Sequence, residues 1–213
     1  MKYNFEIKRG CIVYKDGARV VLLDTGCVRT ISAEQDVQGE IFPKVNKFVD
    51  PTVDQILGMD SISQRVFIDY PKNELVFGEN ITVDSPIAKY DLIPLVGGLF
   101  AIYLKIGGEK RKMLLDTGAA TSYLAKSIVI QGTYAGKIKD FFIGEEKEFE
   151  TDIYSLPTEC GTESPIDVNY GVPKDSIEAA MEQCNVDGII GYEWLRHFKV
   201  LLDIPNRCLI LGK

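Results

Sequence analysis

The chain has a single histidine, no clustered cysteines, no block of basic residues and no long apolar run, and each shortage removes a class of function. His197 is the only base for a Ser-His or Cys-His mechanism, and nothing in the sequence marks a nucleophile to partner it. Without a His-Glu-x-x-His pair or a cysteine cluster there is no basis for a metal site, and none of the patterns calls for a cofactor. The five cysteines (Cys11, Cys27, Cys160, Cys184 and Cys208) are odd in number and scattered, which suits reduced thiols better than disulfides. Against 24 basic residues stand 31 acidic ones, a net charge of −7, and no Lys/Arg run is long enough to track phosphates, so nucleic acid is excluded as a partner. No window approaches the ~18 apolar residues of a membrane span. The start, Met1 to Lys8, alternates polar with apolar instead of forming a signal-peptide core. These shortages lead us to expect a soluble, cytoplasmic protein without a membrane partner. Gly97-Gly98 and Gly107-Gly108 lack the Gly-x-Gly-x-x-Gly order of a dinucleotide loop and read as hairpin turns.

What the chain does have is one short string twice. Val21-Leu22-Leu23-Asp24-Thr25-Gly26 is matched by Met113-Leu114-Leu115-Asp116-Thr117-Gly118. At average residue usage one Asp-Thr-Gly is expected in roughly one chain in twenty of this length, so two behind apolar strands are not chance. Each is followed at a distance by two apolar residues and a glycine, Ile56-Leu57-Gly58 and Ile189-Ile190-Gly191.

The flanking segments repeat as well. An alternating run from Phe5 to Tyr14 reaches a turn at Lys15-Asp16-Gly17, and a strand from Arg19 delivers Asp24; Leu99 to Ile106 reaches Gly107-Gly108, and Lys110 to Leu115 delivers Asp116. Later, Arg65 to Gly78 and Lys199 to Gly212 carry equally spaced Asp69…Gly78 and Asp203…Gly212, each with a Pro-containing turn between two strands. Residues 59–64 and 192–198 are long enough for one or two helical turns. The stretch from Asp116 to Gly191 is more than twice as long as that from Asp24 to Gly58. Its extra residues include a charged segment, 143–149, and an amphipathic helix over Lys174 to Cys184 with Ile177, Ala180, Met181 and Cys184 on one face. We read this helix as a cap on the second half.

With 46% hydrophobic residues, strand periodicity throughout and an internal duplication, the fold class is mostly β with a few short helices. The boundaries are a first half over 1–78, a linker over 79–90 where Asn80, Asp84, Ser85 and Pro86 cluster, and a second half over 91–213.

Taken together, Asp24-Thr25-Gly26, Asp116-Thr117-Gly118-Ala119, both apolar-apolar-glycine strings and both closing hairpins resemble the pepsin and retropepsin superfamily of aspartic proteases, over nearly the whole chain. By size the chain looks like a single-chain fusion of two retropepsin-like halves. The resemblance implies two homologous closed β-barrel lobes of acid-protease type related by a pseudo-twofold axis, working as a monomeric pseudo-dimer on a peptide or protein substrate. It implies that Asp24 and Asp116 are the catalytic pair, sharing one proton because two carboxylates about 3 Å apart cannot both ionise. Thr25 and Thr117 would bond across the axis in a threonine grip, and Gly26 and Gly118 would let backbone approach the carboxylates. After the motifs stand Cys27 and Ala119, a weak donor and none, where a hydroxyl would lower the aspartate pKa; activity is therefore expected nearer neutral pH than pepsin's.

A flap is the other family part. The first half is too short for one, so a single flap is expected between Gly132 and Glu150, with its tip at Ile143-Gly144. Glu145 and Glu146 there would favour basic residues in the substrate. Two alternatives stand beside this reading: a catalytically inactive peptide-binding module with the same fold, and a homodimeric protease using only Asp116.

Overall fold

Short apolar runs punctuated by turn residues build the first half in the computed structural model, which describes residues 1–143 and 145–213. β1 (Lys2–Lys8) and β2 (Cys11–Asp16) pair as a hairpin. The alternation from Phe5 to Tyr14 is thus two strands, not the one expected. Arg9 and Gly10 both take positive φ, 51° and 82°, as a two-residue hairpin turn requires. A second turn at Gly17 leads into β3 (Arg19–Leu23), whose buried Val21, Leu22 and Leu23 run into Asp24.

Beyond that loop come β4 (Ile31–Ser32), α1 (Phe42–Phe48) and β5 (Gln55–Leu57). Seven residues are too few for a helix to persist on propensity. α1 is held instead by Phe42 and Val45, buried with Leu22 and Ile56 in a small cluster, and by Phe48, buried and stacked on Phe141. β5 lies parallel to β3 with Leu22 opposite Ile56. β6 (Arg65–Asp69) and β7 (Glu74–Gly78) form the hairpin expected at Pro71.

The second half repeats this order with insertions. β8 (Pro86–Asp91) and β9 (Ile93–Pro94) precede the hairpin β10 (Phe100–Ile106) and β11 (Glu109–Leu115), whose turn Gly107-Gly108 has φ of 60° and 86°. β12 (Ser122–Leu124) and α2 (Lys126–Val129) follow the second Asp-Thr-Gly loop. The inserted residues form three long strands, β13 (Thr133–Asp140), β14 (Phe149–Cys160) and β15 (Glu163–Gly171), and α3 (Asp175–Cys184). β16 (Gly188–Ile190), α4 (Tyr192–Leu195), β17 (Lys199–Asp203) and β18 (Cys208–Gly212) complete the chain.

The molecule is mostly β with short helices, and its strands form two sheets. One runs β4-β5-β3-β2-β1-β7-β6-β17-β18-β8; the other runs β13-β14-β15-β12-β16-β11-β10-β9 and closes because β10 also pairs with β14, Ile106 opposite Thr158. The closed ring is therefore the six strands β14-β15-β12-β16-β11-β10. Closure was expected of both halves, but the described strands of the first half remain an open ladder. They lack counterparts of the long β14 and β15 that complete the ring in the second.

The two closing hairpins meet edge to edge. β6 and β17 are antiparallel with Phe67 opposite Leu201, and Arg65 bonds Asp203 at 2.8 Å. Val66, Ile68, Val200 and Leu202 are buried along this seam, so the two halves share one core. Residues 86–90, the end of the segment read as connecting chain, belong to β8, which adds to β18. Among the described residues no helix is long and apolar enough to cross a membrane.

Candidate active site

Each Asp-Thr-Gly loop hangs between two parallel strands. Asp24 N–H donates to Leu57 O at 3.0 Å and Asp116 N–H to Ile190 O at 3.0 Å, so both loops leave their sheets in the same way. Gly26 N–H then donates to Asp24 Oδ1 at 2.9 Å, and Gly118 N–H to Asp116 Oδ1 at 2.8 Å. Gly58 and Gly191 pass beneath the loops with no room for a side chain: a Cβ on either would run into the backbone of Arg29 or Ala119.

The loops are locked to one another by reciprocal hydrogen bonds. Thr25 N–H donates to Thr117 Oγ1 at 3.0 Å, and Thr117 N–H to Thr25 Oγ1 at 2.9 Å. Thr25 Oγ1 in turn donates to Leu115 O, and Thr117 Oγ1 to Leu23 O, both at 3.0 Å. Both threonines are buried, so water cannot replace these bonds. The lock brings each carboxylate against the glycine of the other half. A Cβ on Gly118 would lie 2.5 Å from Asp24 Cγ, and one on Gly26 would fall inside the Asp116 carboxylate.

Electrostatics separates the two acids. Burial, then the charge of Asp116 and the hydrogen bond between the two side chains, holds Asp24 well above the usual aspartate range. Burial raises Asp116 too, but the Gly118 N–H, Asp24 and the Ala119 N–H bond its charged form and oppose the rise. Asp116 Oδ1 takes two backbone donors, Gly118 N–H and Ala119 N–H at 3.1 Å, whereas Gly26 is the backbone donor on the Asp24 side chain. The two acids titrate as one pair sharing a proton, and the second backbone donor on Asp116 Oδ1 favours its charged form. Cys27 gives Asp24 no thiol hydrogen bond, because its Sγ donates to Arg29 O at 3.1 Å. Burial and then the Asp24 charge push that thiol up to about 11.

A cavity of about 200 Å³ opens over the aspartates. Val45 of α1 and Ile56 form one wall, Ile177 of α3 and Ile189 the other, and Phe142 and Ile143 the cover. The cover is the connection between β13 and β14, the hairpin expected between Gly132 and Glu150. Of the tip expected at Ile143-Gly144, Ile143 is among the residues lining the cavity, and Gly144 lies outside the described residues. This connection is fastened to the first half: Phe141 stacks on Phe48 with centroids 5.7 Å apart, Lys44 Nζ donates to Ile143 O at 2.7 Å, and Arg9 pairs with Glu148 at 2.7 Å. Glu145 is not among the cavity-lining residues and is bound by Ser176 at 2.6 Å and Lys174 at 3.3 Å, so its charge, read from its position as an attraction for basic residues, is already engaged.

The α3 helix, expected as a cap, also lines the cavity through Ile177. Three other parts were not foreseen: α1, the buried Cys11 whose Sγ donates to Gly118 O at 3.2 Å, and the buried Asp140. The spacing of Phe42, Val45, Phe48 and Val49, with Pro43 in the first turn, is the signal that marks α1. Asp140 and Cys11 carry no local signal, since tertiary folding alone brings them here. His197 is exposed and remote from the cavity lining.

No protein-family model matches the sequence, and no curated protein matches it. Among solved structures the chain is similar to a retropepsin-like aspartic protease from Rickettsia conorii, at 19% identity and a TM-score of 0.40, over 62% of this chain and 96% of that one. It is also similar to Basic 7S globulin from soybean, at 10% identity and a TM-score of 0.45, over 79% of this chain and 59% of the globulin.

Proposed function

We propose that the chain is an aspartic endopeptidase in which Asp24 and Asp116, one from each half, activate a water molecule against a peptide bond. The observation that carries this reading is the reciprocal Thr25–Thr117 bonding, which sets each carboxylate against the opposite loop's glycine. Two half-buried acids on facing loops without a nearby base are costly to keep apart from some use of their shared proton.

The asymmetry of the pair assigns the roles. Asp24, held protonated, donates to the scissile carbonyl oxygen; ionised Asp116 takes a proton from water, whose oxygen bonds the carbonyl carbon and gives a gem-diol. Collapse of the diol breaks the C–N bond, the departing nitrogen receives a proton, and the pair again holds one. No acyl-enzyme forms. In this reading the β13–β14 connection around Ile143 is the single flap, opening for substrate and excluding water when closed. Residues 1–78 and 91–213 act as homologous halves about a pseudo-twofold axis within a monomer. Five free cysteines suit a reducing compartment, the cytoplasm.

Digestion of a peptide library, read by mass spectrometry between pH 2 and pH 8, tests the proposal. Cleavage with a maximum closer to neutral than to pH 2 is expected, because neither Cys27 nor Ala119 lends a hydroxyl to an aspartate. Absence of cleavage at every pH would leave a binding module, and a maximum near pH 2 would refute the argument from these two residues.

A further inference from the structure

The cavity holds a third acid that the hydrolysis does not use. Asp140 ends β13 at the root of the cover, 5% exposed, and lines the same cavity as Asp24 and Asp116. Its Oδ2 accepts from Tyr123 Oη at 2.6 Å and its Oδ1 from the Phe141 N–H at 2.8 Å. Among the described residues no ion pair reaches it. Three cations near the cover are committed elsewhere, Lys44 to Ile143 O, Lys137 to Glu150 and Lys174 to Glu145, and Lys147 is exposed. Lys139, next in sequence, is exposed while Asp140 is buried, as alternation along a strand dictates.

An unpaired buried carboxylate is expensive, and its two hydrogen bonds do not require the charge. An asparagine would accept from the Phe141 N–H and bond Tyr123 Oη equally well, without desolvating an ion. Asp140 shares the cavity lining with both aspartates. The Cys11 thiol, in the cavity lining, is pushed up first by burial and then by Asp24, Asp116 and Asp140 together. Around these acids the walls are apolar, with Val45, Val49, Ile56, Ile177 and Ile189. Apolar walls beside a carboxylate that no ion pair reaches match a side chain with an aliphatic stem and a cationic head.

We propose that Asp140 is a specificity-determining residue, and that the site selects peptides with a lysine or arginine beside the scissile bond, its stem against the apolar walls and its charge paired with Asp140. This rests on the peptidase reading for the phrase "scissile bond", but the recognition itself does not require cleavage.

The test therefore measures binding. Hexapeptides with a hydroxyethylene group in place of the central amide are otherwise apolar, and lysine or norleucine is placed in turn at each of the four residues nearest that group. Calorimetry on the whole chain is expected to show lysine favoured over norleucine by about 10- to 100-fold at one position, as for a charge-assisted hydrogen bond out of water. In Asp140→Asn the ratio at that position falls to about 1. Equal binding of lysine and norleucine by the wild type at all four positions overturns the proposal, whatever the fate of the variant; so does a ratio that survives Asp140→Asn. If lysine is favoured but the matching amide peptides are not cut, the recognition stands and the peptidase reading falls.

Discussion

Replacing either Asp24 or Asp116 by asparagine is expected to lower kcat/KM for peptide cleavage by on the order of 10³-fold or more, the loss for a group that moves a proton in the transition state. The two losses should be alike, because each acid acts only through the proton it shares with the other. A protease using Asp116 from two copies of the chain would keep its activity in Asp24→Asn, so this variant separates that alternative. Stability should move the opposite way. The native pKa of Asp24 is raised above its unfolded value, chiefly by burial, so its contribution to stability is fully present below the ordinary aspartate range and is lost as pH rises through the native value. Asp24→Asn removes that loss. Urea midpoints of the variant, set against the wild type, should therefore improve with rising pH across that window. A midpoint difference independent of pH would contradict the raised pKa.

Thr25→Val is the substitution with the largest expected cost in stability. Valine keeps the shape of the side chain but leaves Thr117 N–H without its acceptor and Leu115 O without its donor, both next to a hydroxyl network closed to water. At about 1–3 kcal/mol for each of the two stranded groups, the loss is about 2–6 kcal/mol. For a chain of this size that lowers Tm by roughly 10 °C. Thr117→Val should cost as much, by stranding Thr25 N–H and Leu23 O. The double variant should cost less than the two combined, because both single changes break one shared network. Thermal melts of the three variants check this, and a loss under about 1 kcal/mol in the single variants would mean that the loops are held by something else.

The parts of the site that can be read from the sequence are those fixed by local chemistry. Leu22-Leu23 and Leu114-Leu115 are buried strand ends, Gly58 and Gly191 pass where no side chain fits, and the Pro71 and Pro205 turns set both closing hairpins. The helix over Lys174 to Cys184 followed from its apolar spacing and differs from α3 by one residue. What escaped was set by distant partners. The alternation of Phe5 to Lys8 stops at Arg9-Gly10, where the turn that splits the run into two strands needs an arginine at positive φ, which no local signal marks. α1 interleaves Lys44, Asn46 and Lys47 with its apolar residues and looks like connecting chain until Leu22 and Ile56 provide its floor. The ring of the second half closes through one pairing of Ile106 with Thr158, a contact between strands far apart in sequence. Glu145 looked free to meet a substrate because Ser176, which binds it, lies on a helix beyond two intervening strands.

The central claim is that one chain supplies both acids of one working pair. Titration with a tight-binding statine-type inhibitor, on material whose mass is measured by light scattering, tests it most directly. One inhibitor bound per 23.8 kDa monomer is predicted. One inhibitor per two chains, or none, would contradict it.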